Sequence, residues 1–334
     1  MPCNNMNYLM KSYLRFSMFT ALVTAMALTS CSRDLSDSEG GIPIEFVNEY
    51  VVEVRSGDRE AGFQTNDKIG VLAYYVPSGE EWDDYKSGAK PDFMYNVPLS
   101  YDGTSWSYSP VMYWPQKKGA RLNFYTYYPY TPYAEFDENN PNPISGVYVS
   151  SDVTEGEPSF KFILNESADV DLMVATNEDL TAETGPVVLN FKHLLSKVQF
   201  GFNVSNDGGF SYIVNQIKVN GTPIIASYSW DSETFHVDQT GSVIVYAGDE
   251  GEDHLIDSTE PRIVDDFTMF LMPGTLGEIE VSINNEEPKT VKIDTPIDSG
   301  VELTVNLEVD LTGIKFTTSV ADWQDGGTAT GGIS

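Results

Sequence analysis

Along residues 187–204, VVLNFKHLLSKVQFGFNV, the apolar positions fall into a strict period of two. Val198, Phe200, Phe202 and Val204 alternate with Gln199, Gly201, Asn203 and Ser205. Successive side chains of a strand point to opposite faces, so this pattern predicts a strand with one buried and one solvated face. Just upstream, Leu189 and Phe191 alternate with Asn190 and Lys192, which predicts a shorter strand, and His193-Leu194-Leu195-Ser196 carries the chain between the two. The residues before this joint are rich in aromatics and proline and those after it in Val, Ile and Thr, so the joint reads as a domain boundary.

Before the joint, Ile42 to Val54 has strand-like alternation through Ile44, Phe46, Val52 and Val54, and it ends in the charged loop Arg55-Ser56-Gly57-Asp58-Arg59-Glu60. Lys68 to Val76, KIGVLAYYV, is a nearly continuous apolar run, as expected of a strand buried on both faces. Asp102-Gly103 lies between Val97, Leu99, Tyr101 and Trp106, Tyr108, a hairpin signal. Arg121 to Tyr128 is a further strand, and Phe160 to Leu164 and Asp171 to Thr176 are read as completing this half. After the joint, short runs follow at Ile213 to Val219, Ile224 to Trp230, Ser242 to Ala247, Phe267 to Met272, Glu278 to Ile283 and Lys289 to Asp294. The last, Val301 to Val309, places Val301, Leu303, Val305, Leu307 and Val309 on one face.

No sustained apolar stripe of helical period occurs in either half. Many short strands separated by Gly and Pro turns predict an all-β protein of two β-sandwich domains with Greek-key-like connections. At 334 residues and roughly 150 per domain, two bodies are the expectation, at 42–190 and 191–334.

Residues 1–30 are expected to lie outside the fold. Lys11 and Arg15 make a basic start, Phe16 to Leu28 an apolar stretch shorter than a membrane span, and Leu28-Thr29-Ser30-Cys31 a short end motif, which together read as a secretory signal. That end is similar to the lipobox of bacterial lipoproteins, and the resemblance makes Cys31 the lipid attachment site, with residues 31–41 as a polar tether to the outer membrane. The only other cysteine, Cys3, falls in the signal.

Charge then narrows the function classes. Lys and Arg number 19 against 50 Asp and Glu, a net charge of −31. Such a chain repels phosphate backbones, which argues against nucleic acid as a partner. His193, His236 and His254 have no second ligand at metal spacing, and His193 reads as a hydrogen-bonded structural histidine. No phosphate-cradling glycine loop precedes a helix. The acid clusters at 137–140 and 249–253 do not match a calcium loop and read as solvated turns. The sequence therefore gives no cofactor, no metal and no catalytic set. Ten aromatics crowd one region: Trp106, Tyr108, Tyr113, Trp114, Phe124, Tyr125, Tyr127, Tyr128, Tyr130 and Tyr133. They read mainly as core and inter-strand residues, with a sugar-stacking platform as the alternative.

A set of short motifs then gives a resemblance that covers nearly the whole chain after the signal. Asp67-Lys68-Ile69-Gly70-Val71, Trp106 with Tyr113-Trp114-Pro115, and Phe124-Tyr125-Thr126-Tyr127-Tyr128-Pro129 come first. Asp171-Leu172-Met173-Val174-Ala175, Phe191-Lys192-His193-Leu194-Leu195-Ser196-Lys197-Val198, Leu271-Met272-Pro273 and Trp323 follow in order. The succession resembles the fimbrillin-like lipoproteins of the Bacteroidetes. The resemblance implies two transthyretin-like sandwiches, export as a lipoprotein, and assembly with other subunits into surface fimbriae that adhere to host or bacterial surfaces.

It further implies that an arginine-directed protease cuts after the first strand, and that the vacated groove accepts a strand from the C-terminal end of another subunit. Such β-augmentation covers an apolar groove and pairs its free backbone groups at once. Arg55, with Arg59 as second candidate, stands at the corresponding place. After Trp323 the chain is glycine-rich with only Ile333 as a large apolar residue, so Ile314, Phe316, Thr318 and Val320 are the better donor-strand candidates. A monomeric glycan-binding surface lipoprotein is the alternative reading.

Overall fold

The structure is a computed structural model. It describes residues 41–48, 63–134, 136, 146–164, 170–205, 209, 211–248, 254–310 and 313–322. The described chain is built almost wholly of strands. The first eleven are β1 (Phe46–Asn48), β2 (Lys68–Val76), β3 (Met94–Tyr101), β4 (Trp106–Ser107), β5 (Arg121–Tyr128), β6 (Val147–Tyr148), β7 (Ser159–Ile163), β8 (Met173–Leu180), β9 (Val187–Leu189), β10 (Lys192–His193) and β11 (Ser196–Val204). Then come β12 (Tyr212–Ser229), β13 (Thr234–Ala247), β14 (His254–Ile256), β15 (Arg262–Leu271), β16 (Gly274–Ile283), β17 (Lys289–Ile297), β18 (Val301–Asp310) and β19 (Gly313–Asp322). Among the described residues one α-helical turn, α1 (Trp82–Tyr85), and two short 3-10 turns, at Lys86–Gly88 and Ala182–Thr184, interrupt the series.

A six-stranded antiparallel sheet, in the order β10-β8-β5-β2-β3-β4, forms a middle layer. Its central strands are buried on both faces because each face feeds a different core. Ile69, Val71 and Ala73 of β2 point into one, with Phe124 of β5 and Met173 of β8. Leu72, Tyr74 and Val76 point into the other, with Tyr125, Tyr127 and Val174. This accounts for the unbroken apolar run at Lys68 to Val76. Gly70 sits within that run opposite Tyr127, and a Cβ there would lie 2.2 Å from the tyrosine ring. The glycine thus makes room for a buried tyrosine whose hydroxyl donates to Asn96 Oδ1 at 2.6 Å.

A four-stranded sheet, β15-β11-β18-β19, contains a long parallel pairing, β11 with β18. Val198, Phe200, Phe202 and Val204 are buried, as their alternation predicts, and so are Leu303, Val305, Leu307 and Val309. The opposite face of β11 is drier than expected: Gly201 and Asn203 are also buried. Gly201 lies under Asn306 and Ile263, and Asn203 donates to the Thr259 carbonyl.

The remaining sheet departs most from the sequence expectation. Ile213 to Val219 and nearly all of Ile224 to Trp230 are not separate strands but parts of the single 18-residue β12, and Ser242 to Ala247 is the end of the 14-residue β13. Irregular register steps around Asn220 and Pro223 let β12 continue through a stretch that reads as a turn. Phe160 to Leu164 does not complete a first-half sheet either. As β7 it pairs with the end of β12, in the order β17-β16-β12-β7-β6. Phe160 packs against Tyr127 of the middle sheet at 5.9 Å, and Trp230 against Tyr125 at 5.9 Å. Part of the layer facing the middle sheet is therefore supplied from residues beyond 220.

Candidate functional site

Among the described residues the short strand β1 pairs in parallel with β9, Phe46 to Val187, Val47 to Val188 and Asn48 to Leu189, in a sheet of two strands. Alternation divides it cleanly. Ile44 and Phe46 are each 2% exposed and plug the core beneath, while Val47 and Val188 face outward. The Phe46 ring meets Tyr108 and Phe124 edge-on, at 5.7 and 5.5 Å.

The segment 105–115 clamps the strand from the other side. Ile44 N–H donates to Met112 O at 2.9 Å and Trp114 N–H to Ile42 O at 3.0 Å. The Tyr108 hydroxyl donates to Ile44 O at 2.9 Å, and Trp106 Nε1 to Asn48 Oδ1 at 2.9 Å. Burying two such side chains contributes roughly 1.5–3 kcal/mol each. The scattered hydrogen bonds add on the order of 1 kcal/mol apiece. The residues on either side of this groove are the aromatics that the sequence singled out, whereas Asn48 and Met112 carry no local signal that would have found them.

The ten crowded aromatics divide in the same way. Trp106, Trp114, Phe124, Tyr125, Tyr127 and Tyr128 are buried, and Tyr108 and Tyr130 half-buried. Only Tyr113 and Tyr133 are exposed. His193 sits beside the still more deeply buried Asp171, with Nδ1 2.8 Å from the carboxylate, which makes it a hydrogen-bonded structural histidine. No group of metal-ligating side chains occurs among the described residues, and no helix there is long and apolar enough to cross a membrane.

At the other end of the chain, Ile314, Phe316, Thr318 and Val320 lie on β19, the edge of its sheet. They pair in register with Val309, Leu307, Val305 and Leu303 of β18. They therefore continue the row of β18 that faces the core, yet Phe316 is 36% and Val320 56% exposed, and only Ile314 packs against the core. The strand is fixed by its backbone ladder to one neighbour and buries little. Cys31, Arg55 and Arg59 lie outside the described residues.

Among the described residues the chain is thus all-β in character, with a short parallel strand pair over one core and an edge strand, β19, that buries little. Residues 55–323 match the model of the fimbrillin-like family, and the chain belongs to that family. The chain is 26% identical over 188 residues to fimbrium subunit Fim1C of Phocaeicola vulgatus, an alignment spanning 52% of this chain and 48% of that relative. A crystal structure of a fimbrial protein from Bacteroides vulgatus superposes with a TM-score of 0.62 at 16% identity, covering 85% of this chain and 99% of the other. A second, of a cell adhesion protein from Bacteroides uniformis, gives 0.54 at 14% identity, covering 86% and 100%. At such identities the superpositions establish a shared fold.

Proposed function

We propose that the protein is a fimbrial subunit or surface adhesin that assembles by donor-strand β-augmentation after its first strand is cut away. The observation that carries this reading is the seating of β1. Two buried side chains and a three-residue ladder close an apolar groove, and the segment that follows holds Arg55 and Arg59. Cleavage after either arginine severs the strand from β2, and its departure leaves an apolar trough with unpaired backbone groups. An incoming extended segment with alternating apolar residues satisfies both.

Ile314, Phe316, Thr318 and Val320 are suited to that task because they give up little apolar burial on leaving β18, where the row is mostly exposed, and a new ladder replaces the one they leave. In this reading residues 42–190 and 191–334 are the two transthyretin-like sandwiches, with the β12–β13 hairpin crossing between them. Cys31 carries the lipid that holds the newly exported subunit at the outer membrane, and other subunits are the partners. The reading requires no cofactor and no catalytic site.

Electron microscopy of the purified chain, before and after limited treatment with a trypsin-like protease, tests this. Fibres after cleavage and monomers before it are expected. Monomers that remain unchanged after Arg55 and Arg59 have been cut would overturn the proposal.

A further inference from the structure

The strand that fills the groove and the strand offered to it carry one pattern. Ile44-Glu45-Phe46-Val47-Asn48 matches Ile314-Lys315-Phe316-Thr317-Thr318 position for position: a branched apolar residue, a charge, a ring, an outward residue, and a polar side chain with a hydrogen-bond acceptor. In β1 each inward position meets a different demand. Ile44 and Phe46 are buried in the core, the ring against the edges of Tyr108 and Phe124. Asn48 Oδ1 accepts from Trp106 Nε1 at 2.9 Å. Trp106 is itself 6% exposed, so its N–H needs that acceptor: a buried donor left unpaired costs more than the bond contributes.

The main chain around the groove adds a direction. β1 runs parallel to β9 on one side, where Val187 N–H donates to Glu45 O, and is bridged antiparallel to Tyr113 through Pro43 on the other.

We propose that the incoming strand takes the place of β1 in the same direction and register, and that Trp106 selects it by requiring an acceptor two positions after the ring. This rests on the strand-exchange reading and adds to it the pattern that the groove accepts. With Ile314 on the Ile44 site and Phe316 on the Phe46 site, Thr318 Oγ1 falls opposite the Trp106 N–H. Sliding the strand by two residues puts either Thr318 in the place of the ring or Phe316 against the indole N–H. Reversing it about Phe316 puts Thr318 on the Ile44 site and Ile314 against the N–H. Phe316, 36% exposed on β18, gains burial by the move. Lys315 gives up only surface ion pairs, to Asp310 at 3.2 Å and Glu308 at 3.9 Å. On the outer face it replaces Glu45, which lowers the repulsion between chains of net charge −31.

The chain cut after Arg55 or Arg59, titrated with labelled synthetic peptides, tests the inference. The peptide of residues 313–322 is expected to bind, and Phe316→Ala within it to lose about a hundredfold or more. Thr318→Val, which keeps the shape but has no acceptor, should lose about tenfold, whereas Thr318→Asn should bind at least as well as the parent peptide. In a chain carrying Trp106→Phe, which keeps a ring without the N–H, the parent and Thr318→Val peptides should bind alike. Undiminished binding of the Thr318→Val peptide to the parent chain, or a difference between the two peptides that survives Trp106→Phe, would overturn the proposal. Binding of a 41–48 peptide without binding of 313–322 would also overturn it and leave strand exchange standing. If neither peptide binds, strand exchange falls with it.

Discussion

If β1 is a detachable plug, removing its two anchors should cost less together than the sum of their separate costs. Phe46→Ala deletes a buried ring that meets two aromatic edges, and Ile44→Ala deletes a buried branched side chain in the same core. Taken singly, such truncations cost about 3–5 and 2–5 kcal/mol. Independent losses would sum to roughly 5–10 kcal/mol for the double variant. A strand held by these two side chains, however, cannot cost more than its own docking free energy, because once it leaves there is nothing further to lose. Burial of the two side chains contributes roughly 3–6 kcal/mol and the hydrogen bonds to the strand on the order of 1 kcal/mol each, but ordering the segment costs roughly 1–2 kcal/mol per residue, which brings that ceiling below the additive sum. Urea titrations of the parent, the singles and the double give the comparison, with hydrogen exchange at the Val187 amide, which donates to Glu45 O at 2.7 Å, reporting on the strand itself. The expected result is a sub-additive loss, with Val187 exchanging freely while amides of β2 and β5 stay protected. Fully additive losses, with every amide losing protection together, would show β1 to be an integral member of the fold and refute the reasoning.

Gly70→Ala should destabilise by about 1–3 kcal/mol in thermal unfolding, since the added methyl must displace the buried Tyr127 ring, whereas Val188→Ala on the outer face should have little effect. Glu157 is held above the usual carboxylate range by burial, against the opposing influence of Lys86 at 3.0 Å. Its contribution to stability is therefore fully present below that range and is lost as pH rises through the raised value. Glu157→Gln should flatten that fall in unfolding free energy measured between about pH 4 and 7. Cys31→Ala should leave an unprocessed or soluble form, and a variant that stays membrane-bound and still takes up labelled fatty acid would contradict the lipid assignment.

The strand faces were legible in the sequence wherever one layer alone decides burial. Leu303 to Val309 follows its alternation because the row faces a single core, and the row Val198, Phe200, Phe202 and Val204 is buried for the same reason although Gly201 and Asn203 opposite it are buried too. The continuous run at Lys68 to Val76 was legible for the complementary reason, since two cores claim its two faces. The continuity of β12 was not, because Asn220-Gly221-Thr222-Pro223 has the composition of a turn. Gly221 takes a φ of +72° there, yet pairing with β13 carries the strand across. The partner of β7 was not legible either: pairing with β12 joins residues more than sixty positions apart, and no local pattern encodes it. Of the candidate site, the groove aromatics were visible as a crowd, but which of them would be buried depends on the neighbouring layers.

Mass spectrometry of the assembled fibres tests strand exchange most directly. If the first strand is removed before assembly, peptides from 41–48 should be missing from the polymer, and the chain should begin after Arg55 or Arg59. Fibres that contain residues 41–48 in stoichiometric amount, still joined to β2, would contradict the account.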